Sequence, residues 1–524
     1  MSRDDLLDKL SKCPDGIFQK VIFYMKLPSG TLPSKGADQA TQATKLVEWA
    51  EHQDGPGLKK LEECYYRAIE KPIENSTELT STPELDKSKN TPEDLPSNHS
   101  EEEARHLTRR LKLTNAFIAS VIITALVLMA RSLGWMQTWE LQAFDSVLRL
   151  RLMLSSEEPD PRLLIVEVTD EDIQHLKESP LTDQTVLQLL EKLQPYEPRV
   201  IGLDIYRDVA QPEGGKYPEL LKHLQGSENV IAVCKFDNEG TEGSIPPSGV
   251  PGDRLGFTNY MSDEDGVARR YLLSTDGNDA YPCQTSLALG FQLAFSYLAI
   301  EGIKPTINEN AYIQFDHTVL TPLPLEPPAA GYQRRISIGY QMMLYYRASD
   351  PIARTVTLSQ ILNGHQIRAE WIRDKVVMIG YSARDRRDLH PTPYTDGQVS
   401  RQMPGVVFHA HMVSQILSAV LDSRPLLQIW SQQAETIWIW IWSLGAGGVV
   451  WILPSKCYVK QLLGIGTIAG TLLVLCYVFL LVGFWVPLIP PLLVLVATSG
   501  FLLISADVSE LISRLSKSTL SIKK

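Results

Sequence analysis

The sequence has few cysteines and lacks the common catalytic motifs. Six Cys among 524 residues exclude the small secreted proteins that depend on many disulfides. The chain has no Walker loop, HExxH pair, CxxC pair or Gly-x-Ser-x-Gly elbow, which removes the usual signatures of phosphate binding, zinc proteolysis and acyl transfer. We therefore predict a protein that is not an enzyme, with no catalytic residue, no metal and no cofactor.

The chain also has no excess of positive charge. Its 50 Lys+Arg stand against 61 Asp+Glu, which gives a net charge of −11. General nucleic-acid binding needs clustered cations that replace the counterions of the phosphates, so we expect no nucleic-acid partner. At about 150 residues per domain, the length predicts several domains.

Long apolar runs predict four transmembrane helices, since about 20 apolar residues cross a bilayer core. The predicted spans are residues 113–134, 436–455, 461–482 and 485–506. Lys and Arg precede the first span, separate the second from the third and follow the fourth. Because such residues favour the cytoplasmic side, we predict a multi-pass inner or plasma membrane protein whose termini, including the tail 507–524, are cytoplasmic.

Three glycines in the predicted spans are candidates for helix packing. Gly445 lies in the second span, and Gly466 and Gly470 lie in the third. Small residues let membrane helices approach each other closely. We predict that these glycines pack helices within the bundle or between the protomers of a homo-oligomer.

Residues 1–71 have apolar positions at helical spacing, separated by breaks that contain Pro and Gly. This pattern predicts a small all-α bundle of four or more helices. The following residues 72–104 are acidic and rich in Pro, Ser, Thr and Asn. Such a composition buries too little apolar surface to fold, so we predict a disordered linker.

The N-terminal segment is similar to a known family. The matching features are the run 6–33 with its Leu-Pro breaks, the helix Leu46-Val47-Glu48-Trp49-Ala50-Glu51, and Gly55-x-Gly57-Leu58. They resemble the type-1 effector-associated domain, a death-like helical domain of bacterial signalling and conflict systems. The resemblance implies homotypic pairing with an effector that carries a like domain, and the alternative is a generic helical cap. The candidate contact residues are Lys45, Glu48, Trp49 and Lys59.

Residues 135–430 are predicted to form an α/β domain. Short apolar runs, which are typical of buried strands, occur at 163–168, 200–206, 230–233 and 376–380. Amphipathic or apolar helical stretches occur at 184–193, 218–224, 284–299 and 406–420. This alternation predicts a partly parallel sheet that helices cover. Residues 255–259 and 268–273 flank an Asp-x-Asp-Gly turn, and we predict a hairpin there.

Several segments of this region resemble the type-2 CHASE domain, an extracytosolic sensory module of bacterial signalling proteins. They are FDSVLRLR (144–151), VIGLDI (200–205), GFTN (256–259), DGVARR (265–270), RDKVVMIG (373–380), DLHPTPY (388–394) and MPGVVFHA (403–410). The resemblance implies a sensory role, one span before the domain and about three after it.

Polar residues that follow the predicted strands are the candidate ligand site, because ligands bind beyond the carboxyl ends of strands in open α/β sheets. They are Asp170, Asp204, Arg207, Asp208, Asp385, Asp388 and His390. Carboxylates interleaved with Arg can bind a small zwitterion or anion. The alternative is a solvated loop with one structural ion pair. The sequence leaves open whether Cys234 and Cys283, both in this domain, form a disulfide.

These patterns together predict a multi-domain membrane protein that acts as a sensor-adaptor. It would consist of an all-α N-terminal bundle, one transmembrane helix, an extracytosolic α/β sensor domain and three C-terminal transmembrane helices. The sensor would detect an envelope or small-molecule signal, and the N-terminal domain would recruit a cytoplasmic effector. An alternative is a membrane-perturbing effector of a bacterial conflict or defence system, triggered through the N-terminal domain.

Overall fold

The computed structural model divides the chain into two compact units, Met1–Leu95 and Pro96–Lys524. Within them, the residues that the structure describes are 3–25, 39–52, 57–70, 98–213, 215–237, 242–275, 283, 285–324, 331–333, 339–364, 367–384, 388–395, 397–398, 401–453 and 458–522.

The first unit contains the predicted N-terminal helices. They are α1 (Arg3–Lys12), α2 (Asp15–Met25), α3 (Gln39–Glu51) and α4 (Leu58–Glu70). Their apolar faces form a separate core that includes Leu10, Leu46 and Leu61. The Gln39 amide donates hydrogen bonds to the carbonyls of Leu10 and Cys13, at 2.9 and 2.8 Å. It thereby satisfies acceptors at the end of α1 that lack an intrahelical partner.

The second unit begins with two long helices, α5 (Asn98–Ser132) and α6 (Gln137–Leu154). Most of the predicted linker lies outside the described residues, but α5 begins at Asn98 and so includes residues 98–104. A short turn separates α5 from α6. Seven of the 18 residues of α6 are buried, including Glu140, Asp145 and Arg151.

A six-stranded parallel sheet forms the centre of the α/β region, as the strand–helix alternation predicts. In chain order, its strands are β1 (Asp160–Val168), β2 (Val200–Asp204), β3 (Val230–Cys234), β4 (Leu255–Phe257), β10 (Ala353–Thr357) and β11 (Val376–Tyr381). The spatial order is β10-β1-β11-β2-β3-β4. Strand β11 comes late in the chain but lies between β1 and β2 in the sheet. The loop that follows β11 therefore lies beside the loop that follows β2.

Helices cover both faces of this sheet. They are α7 (Asp170–Leu176), α8 (Asp183–Leu193), α9 (Tyr217–Gly226), α10 (Leu289–Ile300), α11 (Leu358–Asn363) and α12 (Gly405–Leu421). Successive residues of a strand point to opposite faces. Leu163 and Ile165 of β1 accordingly pack with α10 and α12, whereas Leu164 and Val166 pack with α8, α9 and α11.

The predicted hairpin of residues 255–259 with 268–273 is wrong, because within this fully described range only one antiparallel bridge, between Met261 and Arg270, joins the two sides of the turn. Residues Leu255–Phe257 pair in parallel with β3, and β5 (Arg270–Ser274) pairs with β9 (Tyr340–Met343). The Asp-x-Asp-Gly turn is present, but tertiary pairing overrides the local pairing that the turn suggested. Three further short strands, β6 (Pro305–Ile307), β7 (Ile313–Phe315) and β8 (Thr318–Leu320), form a small meander.

Cys234, the last residue of β3, forms a disulfide with Cys283. Both half-cystines are buried. The bond joins the sheet to a segment 49 residues further along the chain. It answers the question that the sequence left open, and it is typical of proteins in an oxidising compartment.

Three of the described helices have stretches long and apolar enough to cross a membrane: Leu113–Ser132 of α5, α13 (Gln432–Ile452) and α14 (Tyr458–Leu481). The fourth predicted span, residues 485–506, differs from the structure. Phe484–Trp485 form strand β15, which pairs with β14 (Gln428–Ile429). Helix α15 then runs from Ile489 to Ile522, through the predicted tail, and its apolar part Ile489–Ser505 is shorter than the other three.

The glycines of the predicted spans have different surroundings. A Cβ placed on Gly445 would lie 4.0 Å from Ile468, whereas on Gly466 or Gly470 it would meet no described atom within 4 Å. Close helix contacts occur at Gly447, beside Ser120, and at Gly464, beside Val449. Packing between protomers therefore remains the prediction for Gly466 and Gly470.

Gly380 at the end of β11 allows a close approach of α12. A Cβ at this position would lie 2.6 Å from Val406 Cβ. We expect Gly380→Ala to lower the free energy of unfolding by about 1–3 kcal/mol, because α12 must move to make room. The measurement is the thermal unfolding midpoint of the full chain in detergent, followed by circular dichroism.

Gly226→Ala at the end of α9 is the matched control. A Cβ there meets no described atom within 4 Å, so its stability should be unchanged or raised by up to about 1 kcal/mol. Equal midpoints for the two variants would contradict the close approach at Gly380.

Candidate functional site

The carboxyl ends of β2 and β11 meet the start of α12. Asp204 ends β2 and lies in register with Gly380 of β11. Asp388, which directly precedes β12 (Leu389–His390), reaches the same edge, and β12 pairs with β13 (Met403–Pro404). A Cβ on Gly405 would overlap the Asp388 carboxylate, and the Gly405 N–H donates to the Asp388 carbonyl at 3.0 Å. Glycine at the first position of α12 thus makes room for this carboxylate.

Asp204 and Asp388 form a coupled pair with opposite pKa shifts. Burial and the nearby Asp388 carboxylate raise the pKa of Asp204 well above its ordinary value. Burial also acts to raise the pKa of Asp388, but the hydrogen bond and the charge of His390, together with the nearby His409 and Lys235, outweigh burial, so that this pKa is lowered. Of the two, Asp204 holds a proton more readily, and Asp388 ionises more readily.

His390 lies between the carboxylate and an aromatic wall. Its Nε2 is 3.0 Å from Asp388 Oδ1. Its ring centroid is 4.0 Å from that of Tyr260 and 5.9 Å from that of Phe408. These contacts fix the plane of the imidazole, so that its position relative to Asp388 is set by packing as well as by the hydrogen bond.

Two hydroxyl groups lie close to the carboxylate pair. Tyr206 Oη and Thr258 Oγ1 are 2.6 Å apart. Burial, with Asp204 as the next cause, raises the pKa of Tyr206 above its ordinary value, so the hydroxyl stays protonated. Tyr206 follows β2 and Thr258 follows β4, so both come from the same edge of the sheet as Asp204.

His409 lies on α12 beneath this edge and has a structural role. Its Nδ1 is 2.6 Å from the hydroxyl of Tyr271, which also accepts a hydrogen bond from the Gly290 N–H. Burial lowers the pKa of His409 to about 4, so the ring is neutral at pH 7. His411, two residues on, accepts from the Arg347 N–H at 3.3 Å instead, and the two rings do not share a partner here.

Arg207, a predicted ligand-binding residue, is buried in a structural role. Its guanidinium donates to the carbonyls of Tyr206 and Leu181 at 2.9 Å, and its Nε lies 3.4 Å from Asp183. Only 1% of its side chain is exposed. These two hydrogen bonds therefore hold the loop after β2 against the segment that leads into α8, and ligand binding by Arg207 stays a prediction.

The remaining predicted residues are distributed along the edge. Asp170 begins α7 and lies 3.4 Å from the Arg384 N–H. Asp208 accepts from Ser244 Oγ at 3.1 Å. Asp385 lies outside the described residues. The structure thus brings Asp204, Asp388 and His390 together, and it gives Asp170 and Asp208 other partners.

The rule of strand ends does not select Tyr206, Thr258, Tyr260 or Phe408 for this site. Thr258 and Tyr260 follow the short strand β4, which the hairpin prediction places elsewhere. The resemblance segments at 256–259 and 403–410, which contain Thr258 and Phe408, are the signals that point to this site. Together these side chains could bind a small polar molecule that has both donor and acceptor groups.

The aspartates of the Asp-x-Asp-Gly turn bind arginine. Arg269 is fully buried and forms ion pairs of 2.7 Å with Asp145 of α6 and with Asp263 and Asp265 of the turn. Asp263 also pairs with Arg270, at 2.8 Å. We call Arg269 with Asp145, Asp263 and Asp265 the arginine cluster. It attaches α6 to the α/β region.

Comparison with known proteins identifies this region. The profile described as the CHASE2 domain matches residues 122–448, which is more than half of the chain. The chain belongs to the CHASE2 family. No curated protein and no solved structure matches it. Membership indicates an extracellular-type sensory role in signal transduction, and the three apolar helices are consistent with a membrane protein.

Glu140 joins the CHASE2 domain to the last helix. Its carboxylate accepts hydrogen bonds from the N–H groups of Leu488 and Ile489, at 2.8 and 2.7 Å. It thereby caps the N-terminus of α15, where unpaired N–H groups favour a negative charge. Burial is the larger effect, however, and raises the pKa of Glu140 to about 7.

Two further contacts strengthen the junction between the CHASE2 domain and the apolar helices. The Tyr345 hydroxyl donates to the Leu480 carbonyl at 2.7 Å. The Trp485 ring is buried between Phe144 and Tyr332, with centroid distances of 4.4 and 5.8 Å. The domain is therefore bonded directly to α14 and to the loop that leads into α15.

A buried ion pair joins the ends of two apolar helices. Arg131, near the end of α5, contacts Glu435, in the first turn of α13. Their side chains are 2% and 0% exposed. Removing either partner would leave an uncompensated buried charge, which is strongly destabilising. The pair therefore fixes α5 against α13 at the side of the CHASE2 domain.

The variant Glu140→Gln tests whether the carboxyl group of Glu140 is protonated in the folded protein. Because the folded-state pKa is raised, the stability associated with Glu140 is present below about pH 4.5 and is lost as pH rises through about 7. Glutamine keeps an acceptor for the two N–H groups without the charge. The stability of the wild type relative to Glu140→Gln should therefore fall by up to about 3 kcal/mol between pH 4.5 and 8, at about 1.4 kcal/mol per pKa unit.

The measurement is the pair of unfolding midpoints across this pH range, with Glu370→Gln as the control. Glu370 is exposed and pairs only at the surface with Arg368, so its substitution should give a nearly pH-independent difference. If the difference in unfolding midpoint between the wild type and Glu140→Gln were equally independent of pH, the raised pKa of Glu140 would be refuted.

Proposed function

We propose that the chain is a transmembrane sensor-adaptor. Its CHASE2 domain detects a signal outside the cytoplasm, and its N-terminal helical unit recruits a cytoplasmic effector that carries a like domain. The observation that carries this proposal is the direct bonding of the CHASE2 domain to α14 and α15 at Tyr345 and Glu140. A change in the domain would act on these helices without passing through a flexible connection.

Helix α12 provides a physical connection between the candidate site and this junction. It begins at Gly405, beside Asp388, and its Gln415 accepts from the Tyr345 N–H at 2.7 Å and donates to the Met343 carbonyl at 3.0 Å. Tyr345 in turn donates to Leu480. A small polar ligand at the site would shift the conformational equilibrium if it binds one position of α12 more tightly than another.

The N-terminal unit presents charged side chains for recruitment. Lys45 and Glu48 are exposed on α3 and form an ion pair of 2.9 Å, and Lys59 is exposed on α4. Trp49 is half-buried and packs against the core of the unit. We therefore propose that the charged residues make the contact with the effector, whereas Trp49 chiefly supports the fold.

Affinity capture with the tagged full chain from membranes of its native host tests recruitment. Deletion of residues 1–71 should abolish capture of an effector that has a like helical domain. Lys45→Glu should reduce capture about tenfold, the effect of a loss of 1.4 kcal/mol in binding. Mass spectrometry with isotope-labelled reference peptides gives the captured amount.

Lys12→Glu is the matched control, because Lys12 is exposed at the end of α1 and makes the same kind of local pair, with Asp8. It should leave capture within about twofold of the wild type. Capture that persists after deletion of residues 1–71 would rule out the adaptor role of this unit.

The disulfide tests which side of the membrane the CHASE2 domain faces. If the domain is outside the cytoplasm, Cys234 and Cys283 should be oxidised in cells, whereas Cys13 of the N-terminal unit should remain a thiol. Cells are lysed in denaturant with an alkylating agent, and the modified peptides are measured by mass spectrometry. Alkylation of Cys234 and Cys283 to the same extent as Cys13 would contradict the proposed topology.

A further inference from the structure

Helix α6 has three sides with different surroundings. One side carries Asp145, which bonds to Arg269 of the α/β region. A second side carries Glu140, Ala143, Phe144 and Val147, which lie beside residues of α14 and of the loop that leads into α15, including Cys476, Leu480 and Leu488. The third side is exposed.

None of the exposed residues of α6 is charged, but half-buried Arg149 reaches the same side and donates to Ser146 Oγ at 3.1 Å. The exposed residues of this helix, all within the fully described range Gln137–Leu154, are Thr138, Trp139, Gln142, Ser146, Leu150, Met153 and Leu154. Trp139, Met153 and Leu154 are 56%, 79% and 67% exposed. The helix thus presents large apolar side chains at both ends, with the uncharged Gln142 and Ser146 and one cation, Arg149, between them. An exposed face of a helix that contacts water is normally charged.

The exposed apolar residues continue the side that contacts the membrane helices. On a helix, residues three, four and seven apart lie on one face. Leu150 is seven residues from Ala143 and three from Val147, and Leu154 is seven from Val147. Leu150 and Leu154 therefore lie next to the stripe that packs on α14, rather than next to the CHASE2 domain.

The helix lies at the end of the apolar helices. It follows α5 after a turn that contains the exposed Trp135. Glu140 contacts the start of α15, and Ser155, just past α6, lies 3.4 Å from Tyr477, in the last turns of α14. On α14, Val474 and Val478 are exposed. The apolar side of α6 is thus continuous with the apolar outer surface of α14.

We propose that α6 lies in the membrane–water interface on the side of the CHASE2 domain, with Trp139, Leu150 and Leu154 in contact with lipid. Helices of this kind lie in the plane of the interface and bury their apolar face at the boundary between headgroups and acyl chains. Tryptophan is enriched at that level, and Gln142 and Ser146 can bond to headgroups. The inference rests on the proposed transmembrane arrangement.

The consequence concerns the signal that the protein can detect. The same helix bonds to Arg269 of the CHASE2 domain and to the start of α15 through Glu140. A change in the packing or thickness of the lipid would move α6, and would therefore reach the junction without a ligand in the domain. The bilayer itself becomes a second input to the sensor.

Spin labels on single cysteines test the position of α6 in the full chain reconstituted in nanodiscs. The background has serine in place of every cysteine except Cys234 and Cys283. The labelled variants are Leu150→Cys and Leu154→Cys on α6. Val474→Cys on α14 is the lipid control, and Lys222→Cys on α9 is the water control. Power saturation compares the collision rates of each label with oxygen, which partitions into lipid, and with a nickel chelate, which stays in water.

We expect Leu150→Cys and Leu154→Cys to resemble Val474→Cys, with an oxygen-to-nickel ratio several-fold above that of Lys222→Cys. A ratio equal to that of Lys222→Cys, with Val474→Cys still in lipid, would overturn the inference. Dipolar coupling between α6 labels that disappears on dilution with unlabelled protein would also overturn it, since a second copy would then cover α6. Nickel access at Val474→Cys would instead overturn the transmembrane arrangement itself.

Discussion

The arginine cluster is the interaction on which the arrangement of this protein depends. Arg269 is buried with carboxylates from both α6 and the turn at Asp263 and Asp265. A buried guanidinium is tolerated only when carboxylates balance its charge and acceptors bind its N–H groups. Removing one of these partners lowers the stability of the fold more than replacing the whole cluster with apolar residues would. The cluster therefore fixes the rotation of α6 about its axis. That rotation directs Glu140 towards α15 and leaves Trp139 and Leu150 exposed.

Much of the α/β fold could be predicted because its signals are local. The runs 163–168, 200–206, 230–233 and 376–380 are apolar except for Glu167 and Asp204, as expected for strands that are covered on both faces, and each forms a strand of the parallel sheet. The hairpin failed for the opposite reason. The turn at Gly266 is a local feature, but the partners of the flanking strands are β3 and β9, and no local pattern specifies partners that are distant in sequence.

The candidate site was predictable only in part. Asp204 and Asp388 were found because the ends of parallel strands meet at one edge, and this rule needs no side-chain detail. Arg207 satisfied the same rule, yet its guanidinium turns inward to the Leu181 carbonyl. Whether a long side chain points to solvent or back into the fold depends on the packing around it. The same limit applies to Tyr260, whose stacking on His390 comes from tertiary structure.

Helix α5 is continuous over 35 residues, from Asn98 to Ser132. At 1.5 Å per residue, its length is about 50 Å, and neither Gly nor Pro interrupts it. A helix without such a break bends only gently. The ion pair between Arg131 and Glu435 therefore holds one end of a stiff helix. If α5 tilts by a few degrees about this end, its other end, at Asn98, moves by several ångströms.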